Sequence, residues 1–354
     1  LQSPPPTVKT ITVSLMDLAI HTEHLTKIYA QRVIAVNDMT LKVPVGSVYG
    51  LLGPNGAGKT TTLKLLLGLQ QASAGEAKVF GRRCGPRATD VRAMIGYLPT
   101  HPVLPGHLCV VEYLDLLGKL CRLPSQLRKP RLTSLLRAVG LLGATHQRIA
   151  TFSTGMRTRL GIAASLLADP PLLIWDEPTA GLDPSARRFT LDLIRELAKS
   201  RTVVVATHIL SDIDQICDHV GVMQEGRMIF SGSMREMKQR LQRDDFCLEL
   251  DGEVDAILQL QQQVAEVPGV AACSHEMHSI VVEISDRHSR AGVVAEVLKR
   301  VESSDLSLLA LRSTQSDTEY AYLQLLQEDS EHGFRRFDLK ATSDEHAAIG
   351  DSVL

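Results

Sequence analysis

Nothing constrains the fold of this chain more than the run Gly53-Pro54-Asn55-Gly56-Ala57-Gly58-Lys59-Thr60-Thr61. It follows a β-like stretch at 47–52 and opens a helical pattern expected over 60–69. In that setting glycines let successive backbone N–H groups turn inward around an anion, and the helix N-terminus adds positive potential. A lysine at position 59 then faces the β- and γ-phosphates of a nucleotide, and the Thr60 hydroxyl is placed to ligate Mg²⁺. Such a unit requires an α/β fold in which strand ends deliver loops to one edge of a sheet.

A second run completes the first. Leu172-Leu173-Ile174-Trp175 reads as a buried strand, and it ends in Asp176-Glu177. By itself an acidic strand end is an ordinary solvated edge. Downstream of a phosphate loop it has a use: Asp176 as a metal ligand and Glu177 as the group that polarises an attacking water.

Hydrophobic period and turn residues order the rest. Residues 21–99 begin in β-like runs. Residues 101–150 are helical, with Leu114, Leu117 and Leu120, then Leu132, Leu135 and Leu136, on recurring faces. From 151 to 232 strand and helix alternate again, with 202–206 as another buried parallel strand. From about 240 the order becomes strand 246–250, helix 254–265, strands 270–274 and 280–284, helix 290–301, strand 306–311 and helix 318–327. That β-α-β-β-α-β order resembles a ferredoxin-like split βαβ module. The expected organisation is a flexible Pro/Thr-rich leader over 1–20, with Met16 a candidate start. A nucleotide-binding domain follows over 21–235 with a helical subdomain at about 101–165, then an accessory α/β module over 240–328 and a polar tail over 329–354.

Composition narrows the partners. The formal net charge is −2, which offers no basic excess for a nucleic-acid backbone. Six scattered cysteines form no Cys-x-x-Cys pair, as in a reduced protein without a zinc site. No run approaches the roughly 20 apolar residues a membrane span needs, and the N-terminus lacks the layout of a secretory signal.

Between the two nucleotide motifs lies Phe152-Ser153-Thr154-Gly155-Met156-Arg157, and after them come Pro178-Thr179-Ala180-Gly181-Leu182-Asp183-Pro184 and Val203-Val204-Val205-Ala206-Thr207-His208. In this order and spacing the motifs resemble those of ATP-binding cassette ATPases. The resemblance covers 21–232. It implies a P-loop ATPase domain with a mixed-sheet core and a helical subdomain, working on Mg-ATP. It further implies Tyr29 stacking on adenine, Asp176 with Thr60 on the metal, Glu177 and His208 as the catalytic pair, and Asp183 in the D-loop. Ser153, Thr154, Gly155 and Met156 would form a signature presented to the ATP of a second subunit, most simply another copy, so that two chains bury two nucleotides head to tail. A helix behind Ser153, an N-cap residue type, aims its positive end at that phosphate.

Two positions depart from the family pattern. Thr100 stands where a glutamine is usual, after Ile95-Gly96-Tyr97-Leu98-Pro99, and is too short to span from metal to helical lobe; that predicts weak basal turnover, with His101 as a candidate substitute. Thr154 replaces the first signature glycine, a change that helical φ tolerates. Within the superfamily, the stretch 106–122 and the C-terminal module resemble exporter ATPases that pair with a separately encoded six-helix permease. This implies a peripheral subunit on the cytoplasmic side of a membrane. The alternative is a non-transport cassette, or an ATP-binding switch with weak hydrolysis.

Overall fold

Three runs, 48–52, 172–176 and 202–207, have no polar face to offer water, and each becomes a strand with every residue buried. The computed structural model describes residues 18–30, 33–240, 246–276, 278–285, 290–304 and 306–313, with a few helical positions between 322 and 329. The chain divides into two compact units, Leu1–Met234 and Arg235–Leu354.

In chain order the first unit holds strands β1 (Leu18–Tyr29), β2 (Val33–Pro44) and β3 (Val48–Leu52), helix α1 (Lys59–Leu66), β4 (Ala74–Val79), β5 (Arg82–Arg83), α2 (Thr89–Ala93) and β6 (Ile95–Leu98). The helical insert follows as α3 (Val110–Leu120), α4 (Ser125–Ala138) and α5 (Thr154–Ser165). The chain then re-enters the sheet with β7 (Leu172–Asp176), α6 (Pro184–Ala198), β8 (Thr202–Thr207), α7 (Leu210–Ile216), β9 (His219–Gln224) and β10 (Arg227–Ser233). The central sheet runs β10-β9-β3-β8-β7-β6 and is parallel apart from the β9–β10 pair; a smaller antiparallel sheet runs β2-β1-β4-β5.

The period of two along the buried strands sorts the core into layers. Leu173, Trp175, Val203 and Val205 join Leu132, Leu136, Leu160 and Ile162 of the helical insert on one face. Leu172, Ile174, Val204 and Ala206 join Leu63 and Leu66 of α1, with Ile20, Leu25 and Leu41 of the smaller sheet, on the other. Trp175 lies fully inside, and its indole Nε1–H donates to Ser165 Oγ at 3.2 Å.

Several boundaries differ from the sequence expectation. Residues 18–20 of the expected leader are buried in β1, because they pair with β2 and β4; residues 1–17 lie outside the described residues. Helix α1 stops at Leu66, not 69, since Gly68 takes φ +65° and the Leu69 N–H reaches back to Lys64 O at 2.9 Å, a Schellman-type end. A Cβ on Gly68 would also sit 2.2 Å from Gly85 O. Leu114 is buried, but Leu120 is 70% exposed, so the apolar face of α3 runs through Val110, Leu114 and Leu117 instead.

The second unit contains β11 (Phe246–Asp251), α9 (Val254–Ala265), β12 (Val270–Glu276), β13 (Ser279–Ile284), α10 (Arg290–Glu302) and β14 (Ser307–Ser313), preceded by α8 (Met234–Arg240) at the junction. Its sheet is antiparallel in the order β12-β13-β11-β14, around Phe246, Leu248, Leu260, Ile280, Val282 and Val297. The expected helix at 318–327 falls mostly outside the described residues, as does the tail beyond 329. Among the described residues no helix is long and apolar enough to cross a membrane.

Ser165→Ala leaves the buried Trp175 N–H without an acceptor. The expected cost is about 1–3 kcal/mol of stability, read as a lower denaturant midpoint with an unchanged slope; an unchanged midpoint would deny the bond any role.

Candidate active site

Parallel pairing brings the carboxyl ends of β3, β8, β7 and β6 to one edge of the sheet, and each end carries residues singled out by sequence. From β3 the chain turns through the glycine loop. Gly56 and Gly58 adopt φ +88° and +100°, backbone that an L side chain resists. Gly53 and Gly58 are also packed against backbone: a Cβ would lie 2.4 Å from Met223 O and 2.3 Å from Ala35 O respectively. Above Gly56 there is open space. A cavity of about 250 Å³ sits there, lined by Ala35, by every residue from Pro54 to Thr61, and by Thr100 and Glu177.

Lys59 is almost fully buried and satisfied by its own loop, its Nζ donating to Gly53 O at 2.6 Å and Pro54 O at 3.2 Å. It also lies 3.5 Å from Glu177 Oε1. The Thr60 hydroxyl donates to Asp176 Oδ2 at 2.8 Å, joining the start of α1 to the end of β7. Burial raises the Asp176 pKa, and the hydroxyls of Thr60 and then Thr100 act against that rise. Asp176 Oδ1 is buried without a hydrogen-bond partner. An unpaired carboxylate oxygen beside a threonine hydroxyl, at the mouth of a glycine-lined cradle, is the hard-oxygen donor set that suits Mg²⁺. The residues present therefore fit a nucleotide-bound magnesium.

Glu177 is held from several sides. Its backbone takes φ +51°, unusual for a side chain with a Cβ, and its N–H donates to Ala206 O at 2.8 Å. Its Oε2 meets His208 Nδ1 at 2.9 Å and accepts from Thr207 Oγ1 at 3.2 Å. His208 is the last of these groups before solvent, 46% exposed. Thr207 was not singled out from sequence beyond its place in the strand; a hydroxyl at the final position of a buried strand, level with the acidic pair, was the available signal.

Other expected residues lie apart from the cavity wall. Tyr29 closes β1 and is half-buried; its hydroxyl donates to Gln70 Oε1, while Lys27 Nζ stands 5.2 Å from its ring centre. Ser153 is the N-cap of α5, its Oγ accepting the Met156 N–H at 3.3 Å, and Thr154 is the first helical residue. A Cβ on Gly155 would meet only Ala186 Cβ at 3.7 Å and Leu182 Cδ2 at 3.9 Å, ordinary contacts. Asp183 caps α6, with Oδ1 taking the N–H groups of Ser185 and Ala186 and the Ser185 hydroxyl, chiefly the last of which lowers its pKa. His101 is exposed and lines no part of the cavity, whereas Thr100 does line it, and its hydroxyl acts against the burial-driven rise of the Asp176 pKa.

A phosphate cradle, an acidic strand end and a histidine-backed glutamate, with a capped signature helix on an inserted lobe, define an ATP-binding cassette ATPase. Comparison with known proteins agrees. The sequence profile described as ABC transporter matches residues 36–180. The chain is 36% identical over 267 residues to an uncharacterized ABC transporter ATP-binding protein, YxlF, of Bacillus subtilis strain 168, covering 75% of this chain and 87% of that one. It is 32% identical over 308 residues to the linearmycin resistance ATP-binding protein LnrL of the same strain, covering 86% and 97%. A solved ATP-binding subunit of an ABC transporter superposes with a TM-score of 0.58 at 31% identity, covering 63% of this chain and 92% of that one. The chain belongs to the ABC transporter ATP-binding proteins and is an ATPase.

Thr100→Val keeps the shape of the side chain but removes the hydroxyl next to Asp176. Turnover at subsaturating Mg²⁺ is expected to fall about tenfold, ~1.4 kcal/mol of barrier, with metal-free nucleotide affinity unchanged because Lys59 and the loop backbone carry it. Steady-state curves with Mg²⁺ varied measure this; identical curves would show that Thr100 is a bystander.

Proposed function

We propose that this chain is the ATPase subunit of an exporter, working as a head-to-tail pair of identical copies on a separately encoded membrane permease at the cytoplasmic face. The observation that carries the reading is the half-built site. The cradle, Asp176, Glu177 and His208 converge in one chain, while Ser153 and Thr154 stand exposed and Gly155 has no close neighbour that demands a glycine. A glycine kept where its own fold does not need it, at a capped helix N-terminus, suits close approach by a phosphate held on another subunit. Export is supported by the name of a relative, the linearmycin resistance protein, whose match extends past the cassette into the second unit. We take that unit, by its strand order, to be a ferredoxin-like accessory module.

In this reading Thr60 and Asp176 would hold Mg²⁺, which neutralises phosphate charge when bound. Lys59 leaves its loop carbonyls for the β- and γ-phosphate oxygens. Glu177, released from Lys59, accepts a proton from the attacking water, and His208 fixes the carboxylate through Oε2. Tyr29 supplies a ring face to adenine, and Asp183 with Ser153, Thr154, Gly155 and Met156 faces the partner copy. The bonds from His208 and Thr207 to Glu177 favour hydrolysis over an ATP-binding switch that does not turn over.

Lys59→Ala is expected to weaken nucleotide binding at least tenfold, since a charge-assisted contact is worth about 1.5–3 kcal/mol; titration with a fluorescent ATP analogue measures it, and wild-type affinity would undo the assignment. Glu177→Gln is expected to keep ATP affinity while hydrolysis drops at least about 10²-fold. The variant should also elute as an ATP-dependent dimer in gel filtration. Undiminished phosphate release would falsify the role of Glu177.

A further inference from the structure

One buried charge lies outside every motif so far described. Asp212, in the first turn of α7, is 1% exposed and four residues past His208. Its Oδ2 accepts the Thr179 hydroxyl at 2.5 Å, and its Oδ1 accepts Arg187 Nε at 2.8 Å, with the other guanidinium arm at 2.7 Å. That arm also donates to Ser211 Oγ at 2.7 Å. The three residues belong to three segments. Thr179 lies two residues past Glu177 in the acidic loop and is itself buried. Arg187 stands on the first turns of α6, which Asp183 caps. Asp212 stands on the helix that follows the histidine.

We infer that Asp212 is a positioning residue for hydrolysis: it bolts the loop carrying Glu177 to the segment carrying His208, so that the pair stays in register. Within the segment from Glu177 to Asp183 the backbone is closed by two turns, Ala180 N–H to Glu177 O at 3.2 Å and Leu182 N–H to Thr179 O at 3.3 Å. Glu177 starts it in a backbone conformation that costs energy, held by Ala206 O, Thr207 and His208, so the turns beyond it need an anchor of their own to keep that geometry. Thr179 provides that anchor, and a carboxylate out of water, with Oδ1 facing two nitrogens of one arginine and Oδ2 taking the Thr179 hydroxyl, has few alternative places to go. A relaxed loop shifts Glu177 against His208, and a misplacement of about 1 Å of a reacting group is enough to cost about 10²-fold in rate. The cradle, built on β3 and α1, is untouched, so nucleotide affinity is expected to stay.

The inference rests on the assignment of Glu177 above, and the test separates the two. In the full-length protein, Thr179→Val removes the hydroxyl and leaves the Asp212–Arg187 pair intact, while Thr179→Ser keeps the hydroxyl. Thr179→Val is expected to lower kcat at least tenfold with nucleotide affinity within threefold, and Thr179→Ser to return kcat to within twofold of the starting protein. Asp212→Asn should resemble Thr179→Val in its split of kcat from affinity; should it fail to fold, the two Thr179 variants decide alone. A Thr179→Val protein with unaltered kcat, or valine and serine variants that behave alike, would overturn the inference. If Glu177→Gln hydrolyses normally, the catalytic assignment itself has failed; if Glu177→Gln is dead and Thr179→Val is unimpaired, only the role given to Asp212 has.

Discussion

Parallel pairing of three fully buried strands is the constraint on which this molecule depends. Leu52 lies opposite Thr207, Asp176 opposite Ala206, and Leu98 opposite Trp175. Each strand therefore ends within a residue or so of its neighbour, and the chain leaves the sheet four times along one edge. Side-chain direction alternates along a strand, so a slip of one residue in β7 would turn Asp176 away from Thr60 and expel Trp175 from its layer. Packing and chemistry are tied to one register. The indole of Trp175, the largest of the fully buried side chains, guards the position of the carboxylate that follows it.

With the register fixed, electrostatics ties the glycine loop to the acidic pair. The Lys59 ammonium donates to two loop carbonyls and lies 3.5 Å from Glu177 Oε1. Burying two opposite charges close together offsets part of the desolvation each would suffer alone. Backbone strain is held at the same carboxylate: the left-handed backbone of Glu177, a cost of about 1–3 kcal/mol, is sustained by Ala206 O, Thr207 and His208.

Much of this was legible in the sequence because the informative features are local. The glycine loop has a spacing no ordinary turn needs, and strands such as 172–176 are too apolar to lie anywhere but inside. The helix at 254–265 and the strand at 246 emerged from period alone. What sequence did not show depends on contacts between distant segments. Thr207, Thr179 and Asp212 are ordinary residues by type, and only the fold brings positions 33 apart within 2.5 Å. The exposure of Leu120 follows from where α3 ends, which period cannot fix. The end of α1 was overshot because an apolar Leu69 continued the pattern, although Gly68 held the stop signal. The length of Thr100 is legible from its type, whereas its place on the cavity wall beside Asp176 depends on where β6 ends.

The two helix caps shape how a partner subunit could be recognised. Ser153 Oγ and Asp183 Oδ1 each accept the first N–H groups of their own helices, α5 and α6. The cap uses only an acceptor lone pair of the Ser153 oxygen, so its O–H stays free to donate to a phosphate without releasing a cap worth about 0.5–2 kcal/mol. In the proposed dimer the signature would then meet the opposite phosphate with that hydroxyl together with the N–H groups and dipole of the helix end, at a spot where Gly155 keeps the surface low. This also explains why Thr154 is compatible with the site. It occupies the first helical position in unstrained backbone, and its exposed side chain adds bulk beside the glycine that matters without displacing the donors behind it.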